Sequence, residues 1–239
     1  MSKIYFVMPA YNEASNIEKT IEQWYPVVKE CGPNSRLVVA NDGSKDNTYQ
    51  IMEELQAKYP QFIPLNKKNS GHGPTVIFLY NYAIEHGADY IFQTDSDGQT
   101  NPAEFKPFFE ARKDYDCVMG NRTARGDGND RKFVENVLRT YVWLFFHVWV
   151  PDANAPFRLM KSDVVAKYLK LMPKDFNLPN AVLAACFTKF HEKVTYKIIS
   201  FKPRQGGVNS INPKKIFKIG WKAISDFYKI SKKVNKYLH

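Results

Sequence analysis

Cysteine is scarce: Cys31, Cys117 and Cys186 are the only 3 in 239 residues, far apart and outside any zinc-ligand spacing. Their odd number excludes a disulfide-stapled secreted fold and a cysteine-built metal site, and points to a reducing compartment. Long apolar runs are also missing. The longest, Val142 to Val150, is interrupted by His147 and falls short of the roughly 20 residues that span a bilayer. The opening MSKIYFVMPAYNE turns polar before a secretory signal forms, so the mature chain is expected to start there and no helix is expected to cross a membrane. No recognised nucleic-acid motif accompanies the basic charge, and no nucleic-acid partner is expected.

What is there is a globular composition with a basic bias. Hydrophobic residues at 44% exclude disorder, and an aromatic share of 15% is high enough for stacking or interfacial surfaces. The net charge of +10 gathers late in the chain, where Lys202, Arg204 and Lys214 to Lys236 crowd together, and it implies anionic partners such as phosphates or lipid headgroups.

Short apolar runs alternate with helical patterns. Ile4 to Met8 reads as a buried first strand closed by Pro9. Ser15 and Glu18 form a possible capping box for an amphipathic helix carrying Ile17, Ile21, Trp24 and Val28. Leu37 to Ala40 makes the second strand, and Ile51, Met52, Leu55 and Tyr59 the next helical face. Phe62 to Leu65 is an edge-like strand because of Pro64. NSGHGP then opens a helix with Pro74 in its first turn and Gly87 at its end, before the strand Tyr90 to Thr94. This alternation calls for an α/β fold, a mostly parallel central sheet flanked by helices, with ligands beyond the carboxyl ends of the strands.

Three polar loops, PAYNE, NDGS and DSDGQ, fall on that one rim. In the last, Asp95 and Asp97 are spaced i, i+2 at a strand's end and can point the same way. Two carboxylates so placed could hold a divalent cation together with substrate phosphate oxygens. The same loop also reads as a helix start, with Asn101 as N-cap and Pro102 in the first helical position.

PAYNEASNI, NDGSKDNT and DSDGQTNP resemble the family 2 glycosyltransferases, whose nucleotide-sugar fold is called GT-A. GNRTARGDGNDR, DANAPFRLM and FKPRQGGVNS look like the branch of dolichol-phosphate mannose synthases and bacterial polyprenyl-phosphate sugar transferases, so the resemblance spans about residues 3 to 210. It implies a GT-A domain over residues 1–212, followed by a basic amphipathic helical segment over 213–239. By that resemblance Pro9, Ala10, Tyr11 and Glu13 line the nucleotide, Asp42 reads the base, and Asp95, Ser96 and Asp97 form the DXD motif. Asp97 would be the direct ligand of Mg2+ or Mn2+, Asp95 its support, and Gln99 would lie beside the sugar. Tyr11, Asp42 and Gln99 each have a plainer reading as a surface aromatic, a turn residue and a solvated loop residue.

The resemblance also implies that Arg122, Arg131 and Arg204 surround donor and acceptor phosphates, with Ser210 adding a hydrogen-bonding group. Arg122, Arg125 and Arg131 read as members of a glycine-rich loop, where a guanidinium fork suits a phosphate. His72 is ambiguous between a ligand neighbour and a loop histidine. Asp152 reads either as a base beside the acceptor or as an organiser of Arg158. Where many relatives carry an acid at the head of a helix, FNLPNAVLA has Asn177 and Asn180.

The expected activity is inverting, metal-dependent transfer from a UDP- or GDP-sugar to a polyprenyl phosphate at the cytoplasmic face of a membrane. A phosphate acceptor is already an anion and needs positioning rather than deprotonation. The alternatives are a hydroxyl of a lipid-linked or surface polysaccharide as acceptor, or a silent nucleotide-binding assembly subunit. Phe217, Trp221, Ile224, Phe227 and Tyr228 lie among lysines, so the last helix is expected either at a membrane interface or packed on the domain, with the lysines favouring the interface. A separate membrane protein would then be a possible partner.

Overall fold

A computed structural model of the chain describes residues 2–125, 129–202 and 213–236, with side chains described except at 123–134 and 213–222. Apolar runs too short for helices make the strands. Among the described residues these are β1 (Ile4–Ala10), β2 (Arg36–Asp42), β3 (Phe62–Lys67), β4 (Tyr90–Thr94), β5 (Cys117–Arg125), β6 (Phe157–Lys161) and β7 (Val194–Phe201). They form one sheet in the order β3-β2-β1-β4-β6-β5-β7. The first four run parallel, β6 is antiparallel to both β4 and β5, and β7 is parallel to β5. Strand β3 lies at the edge, where Pro64 costs least.

Alternation along each strand divides the core into two layers. Ile4, Phe6 and Met8 of β1 face α1 (Ile17–Glu30), α2 (Thr48–Gln56) and α4 (Phe105–Ala111), packing with Trp24, Met52 and Phe108. Tyr5 and Val7 face the other way, toward α3 (His72–Glu85), α5 (Asn129–Phe146), α6 (Ser162–Leu169), α7 (Pro179–Lys189) and α8 (Pro213–Lys236). Gly73 brings the head of α3 hard against the chain before α7: a Cβ there would lie 2.4 Å from the Asn177 backbone carbon.

Several expectations change. Helix α1 is not closed by a Ser15–Glu18 box; its N-cap is Asn16, which makes no side-chain cap. The reason is local: the Asn16 side-chain amide donates to Glu13 Oε2 at 2.9 Å, while the Glu13 carbonyl accepts from Asn16 N and Ile17 N. Helix α2 ends before Tyr59. Arg122 and Arg125 are not in a loop but on β5, and Arg131 is in α5. The apolar start Cys117–Met119 launches β5, and backbone pairing with β7 carries it on to Arg125 through a bulge, a bond that asks nothing of side-chain type.

Asn101 does cap the next turn, its Oδ1 accepting from Ala103 N at 3.1 Å, and Gly87 follows α3 with φ of 68°. In α8 the stripe Ala223, Phe227, Ile230 and Val234 is buried, and Phe227 packs on Tyr141, Phe145 and Phe146 of α5. At least this half of the helix spends its apolar face on the domain. All three cysteines are free and buried, and burial pushes the Cys117 and Cys186 thiols up to about 12, so they are structural and unreactive.

Candidate active site

The carboxyl ends of β1, β2 and β4 open into a cleft of about 330 Å3. Pro9, Ala10, Tyr11 and Glu13 form its wall after β1, Asp42 stands at the end of β2, and Asp95, Ser96 and Asp97 follow β4. The three loops singled out from the sequence therefore do meet.

Hydrogen bonds stitch the loops together. Asn12 N donates to Ser44 Oγ at 2.9 Å, Lys45 N to Asn12 Oδ1 at 2.8 Å, and Glu13 N to Thr48 Oγ1 at 2.8 Å, which binds the first loop to the second. Ser96 donates its hydroxyl to the Pro9 carbonyl at 2.8 Å, and its own carbonyl accepts from Thr20 Oγ1 at 3.1 Å. Ser96 is thus buried between the acidic loop and β1, a structural use of the middle residue of DSD.

Asp42 is held through both of its carboxylate oxygens. Its Oδ1 accepts from Lys67 Nζ at 2.6 Å and Ser70 N at 2.9 Å, and its Oδ2 from Gly71 N at 2.9 Å. Burial pushes its pKa up, but the hydrogen bonds from Lys67, Ser70, Thr75 and Gly71 outweigh that and hold the carboxyl below the ordinary range. The clasp draws a fourth loop onto the rim. Asn69, Gly71, His72 and Thr75 line the cleft beside Asp42. Of these, the sequence singled out His72 alone, and left it ambiguous, although its glycine neighbours were the signal that a ligand could approach.

Gln99 is almost fully buried, and its Nε2 donates to the Lys202 carbonyl at 2.7 Å while Lys202 N donates back to the Gln99 carbonyl at 2.9 Å. It anchors the end of β7 instead of standing free in the loop, and the Asp97 carboxylate accepts from Gln99 N at 3.1 Å. Arg122 Nε and Nη2 grip Asp152 Oδ2 and Oδ1 at 2.7 and 2.8 Å. Burial works against the guanidinium's charge, but this pairing wins and raises its pKa. Asp152 does not organise Arg158. That guanidinium, fully buried, donates instead to the carbonyls of Ala153 and Ala155 in the turn before β6 and of Asn180 in the first turn of α7. Asn180 is likewise buried, and together with Gln93 it belongs to a polar network that sequence reading missed. Arg204 and Ser210 lie outside the described residues, as does the Arg131 side chain.

Among the described residues, no group of three or more His, Cys, Asp or Glu side chains is arranged to hold a metal ion. Asp95 and Asp97 offer two hard oxygen donors, so a cation here would draw its remaining ligands from a diphosphate and water, a set that suits Mg2+ or Mn2+.

A sheet with this order, and a polar cleft beyond the carboxyl ends of its parallel strands, defines an α/β fold with its ligand site on that rim. The sequence matches glycosyl transferase family 2 over residues 5–169, and the chain belongs to that family. It is a glycosyltransferase of GT-A architecture. It is 23% identical over 169 residues to undecaprenyl-phosphate mannosyltransferase of Micrococcus luteus, covering 68% of each chain. It is 30% identical over 167 residues to dolichyl-phosphate beta-glucosyltransferase ALG5C of Trichomonas vaginalis, covering 64% of this chain but 48% of that protein. Among solved structures, glucosyl-3-phosphoglycerate synthase from Mycobacterium tuberculosis, in complex with Mn2+, UDP and phosphoglyceric acid, superposes with a TM-score of 0.68. That match has 15% identity and covers 96% of this chain and 78% of that one, which is a likeness of fold.

The Asp42 clasp predicts a pH signature. A carboxyl held below its unfolded value, about 3.9, adds stability that is present above that pH and lost as pH falls through the folded pKa. Asp42→Asn should therefore lower stability by about 1–3 kcal/mol at neutral pH, with the gap closing in acid below about pH 4. Denaturant titrations across pH read this; a gap independent of pH would contradict it.

Proposed function

We propose that the chain moves a sugar from a nucleoside diphosphate donor, UDP- or GDP-linked, to a polyprenyl phosphate, working peripherally at the cytoplasmic face of a membrane. The observation that carries this reading is the meeting, in one cleft, of the buried Asp42 with the paired carboxylates Asp95 and Asp97. These suit the two ends of a nucleoside diphosphate. Pro9, Ala10, Tyr11 and Glu13 would bound the base and ribose, with the half-exposed Tyr11 ring available for stacking. The names of the sequence relatives, polyprenyl-phosphate sugar transferases, support the acceptor class.

Asp97, with Asp95 beside it, would hold a divalent cation. A bound Mg2+ or Mn2+ supplies charge neutralisation for the departing nucleoside diphosphate. An acceptor phosphate oxygen would attack the anomeric carbon as the bond to the donor diphosphate breaks, with inversion as the family implies. No proton need leave the acceptor. That fits Asp152, whose carboxylate is fully buried and gripped by Arg122, better as the group that orients Arg122 than as a base. Arg122, Arg131 and Arg204 would order the phosphates, with Ser210 adding a hydrogen-bonding group.

For the membrane, Trp143, Leu144 and Trp149 are all more than half exposed near the end of α5, and Tyr228 is exposed on the adjoining α8 beside Lys229, Lys232 and Lys233. Exposed aromatics among lysines suit an anionic lipid interface. Attachment would be peripheral or through a membrane protein partner; among the described residues no helix is long and apolar enough to cross a membrane.

Asp97→Ala should lower transfer from the preferred nucleotide sugar to a short polyprenyl phosphate by on the order of 100-fold or more. Near-native metal-dependent transfer would remove Asp97 from the site. Transfer to a saccharide and never to polyprenyl phosphate would favour the hydroxyl-acceptor reading, and donor binding without turnover on any acceptor the silent-subunit one. A Trp143→Ser, Trp149→Ser double variant should sediment with anionic vesicles roughly tenfold less than the native chain; unchanged sedimentation would contradict the interface assignment.

A further inference from the structure

We propose that Gln93, Asn180 and Tyr80 are positioning residues for Asp95, a buried hydrogen-bond chain of fixed polarity that orients this carboxylate toward the donor diphosphate and its cation. The inference rests on the donor-site reading above. Gln93 is the penultimate residue of β4, Asn180 lies in the first turn of α7, and Tyr80 is in the middle of α3. All three are essentially fully buried. Tyr80 Oη donates to Asn180 Oδ1 at 2.7 Å, Asn180 Nδ2 to Gln93 Oε1 at 3.0 Å, and Gln93 Nε2 to Asp95 Oδ1 at 3.3 Å.

The polarity follows from the end of the chain. A carboxylate only accepts, so Gln93 must turn its NH2 to Asp95 and its carbonyl oxygen to Asn180. Asn180 must then donate with its NH2 and accept with its oxygen, which leaves Tyr80 as donor. Burial raises the Tyr80 pKa, which keeps the proton this role needs. Arg158 holds Asn180 from a further side, its Nη1 donating to the Asn180 carbonyl at 3.0 Å. Gln93 also explains itself this way. Burying an amide on the apolar β4 costs free energy unless every polar end is met, and both ends are met only while Asn180 and Asp95 keep these orientations.

The same polarity accounts for an amide at position 180. An ionised acid there would accept on both sides, forcing Gln93 to reverse and present its carbonyl oxygen to Asp95. The network thus converts packing among α3, α7 and β4 into a defined orientation of one cleft carboxylate, which is how outer groups tune a ligand's affinity.

The test uses the full chain with a nucleoside diphosphate and Mn2+. Mn2+ affinity is read by electron paramagnetic resonance, nucleotide affinity without metal by calorimetry, and folding by thermal unfolding. Gln93→Met and Asn180→Asp should weaken Mn2+ binding roughly tenfold or more, while metal-free nucleotide affinity stays near native. Tyr80→Phe keeps the ring and its packing, and should show a smaller loss in the same direction. Unchanged Mn2+ affinity in folded variants, or a parallel loss of nucleotide and metal, would overturn the positioning role. Failure of the native chain to bind Mn2+ with nucleotide would instead sink the donor-site reading, and this inference with it.

Discussion

The cleft depends on Asp42. A parallel sheet delivers its loops to one rim, but a loop at a strand's end has backbone N–H groups with no ladder to join, and nothing in the sheet itself holds those loops to one another. Asp42 takes two such groups, Ser70 N and Gly71 N, and adds Lys67 Nζ, so the end of β2 and the loop after β3 become one wall. Ser96 does the corresponding work between β4 and β1 through the Pro9 carbonyl. The result is a rim held together by the chain's own hydrogen bonds, which lowers the ordering cost that binding would otherwise meet.

How much of this was legible in the sequence depends on the range of the interaction. Strands β1 to β4 could be read because each is a short apolar run, but the local stop signals fell short of the true ends: parallel pairing carries β1 past Pro9 to Ala10 and β2 past Asn41 to Asp42. The rim followed from α/β alternation and needed no contact map. Strand β5 was hidden because only Cys117 to Met119 is apolar, and its remainder is held by backbone pairing to β7, far away in sequence. The antiparallel β6 carried no local mark of its direction.

Site residues divide in the same way. Tyr11, Asp42, Asp95 and Asp97 stood out because polar loops at strand ends are visible motifs, and the structure brings them to one cleft. The partners of Arg122 and Arg158 were not visible: Asp152 lies 30 residues from Arg122, and Arg158 is bound to carbonyls, which every residue possesses. Asn180 was noticed as a departure from its relatives, but its meaning depends on Tyr80 and Gln93, brought to it by two other elements. A polar residue within an otherwise apolar strand, as Gln93 is within YIFQT, was the available clue.

The central claim is that this cleft is a nucleoside-diphosphate site completed by a cation between the carboxylates and the diphosphate. Calorimetric titration of UDP and GDP into the full chain, with and without Mn2+, tests it most directly. Saturable binding of one of the two is expected, tightening markedly when Mn2+ is present and losing this tightening in Asp97→Ala. Equal affinity with and without the cation, or no binding of either nucleotide, would contradict it.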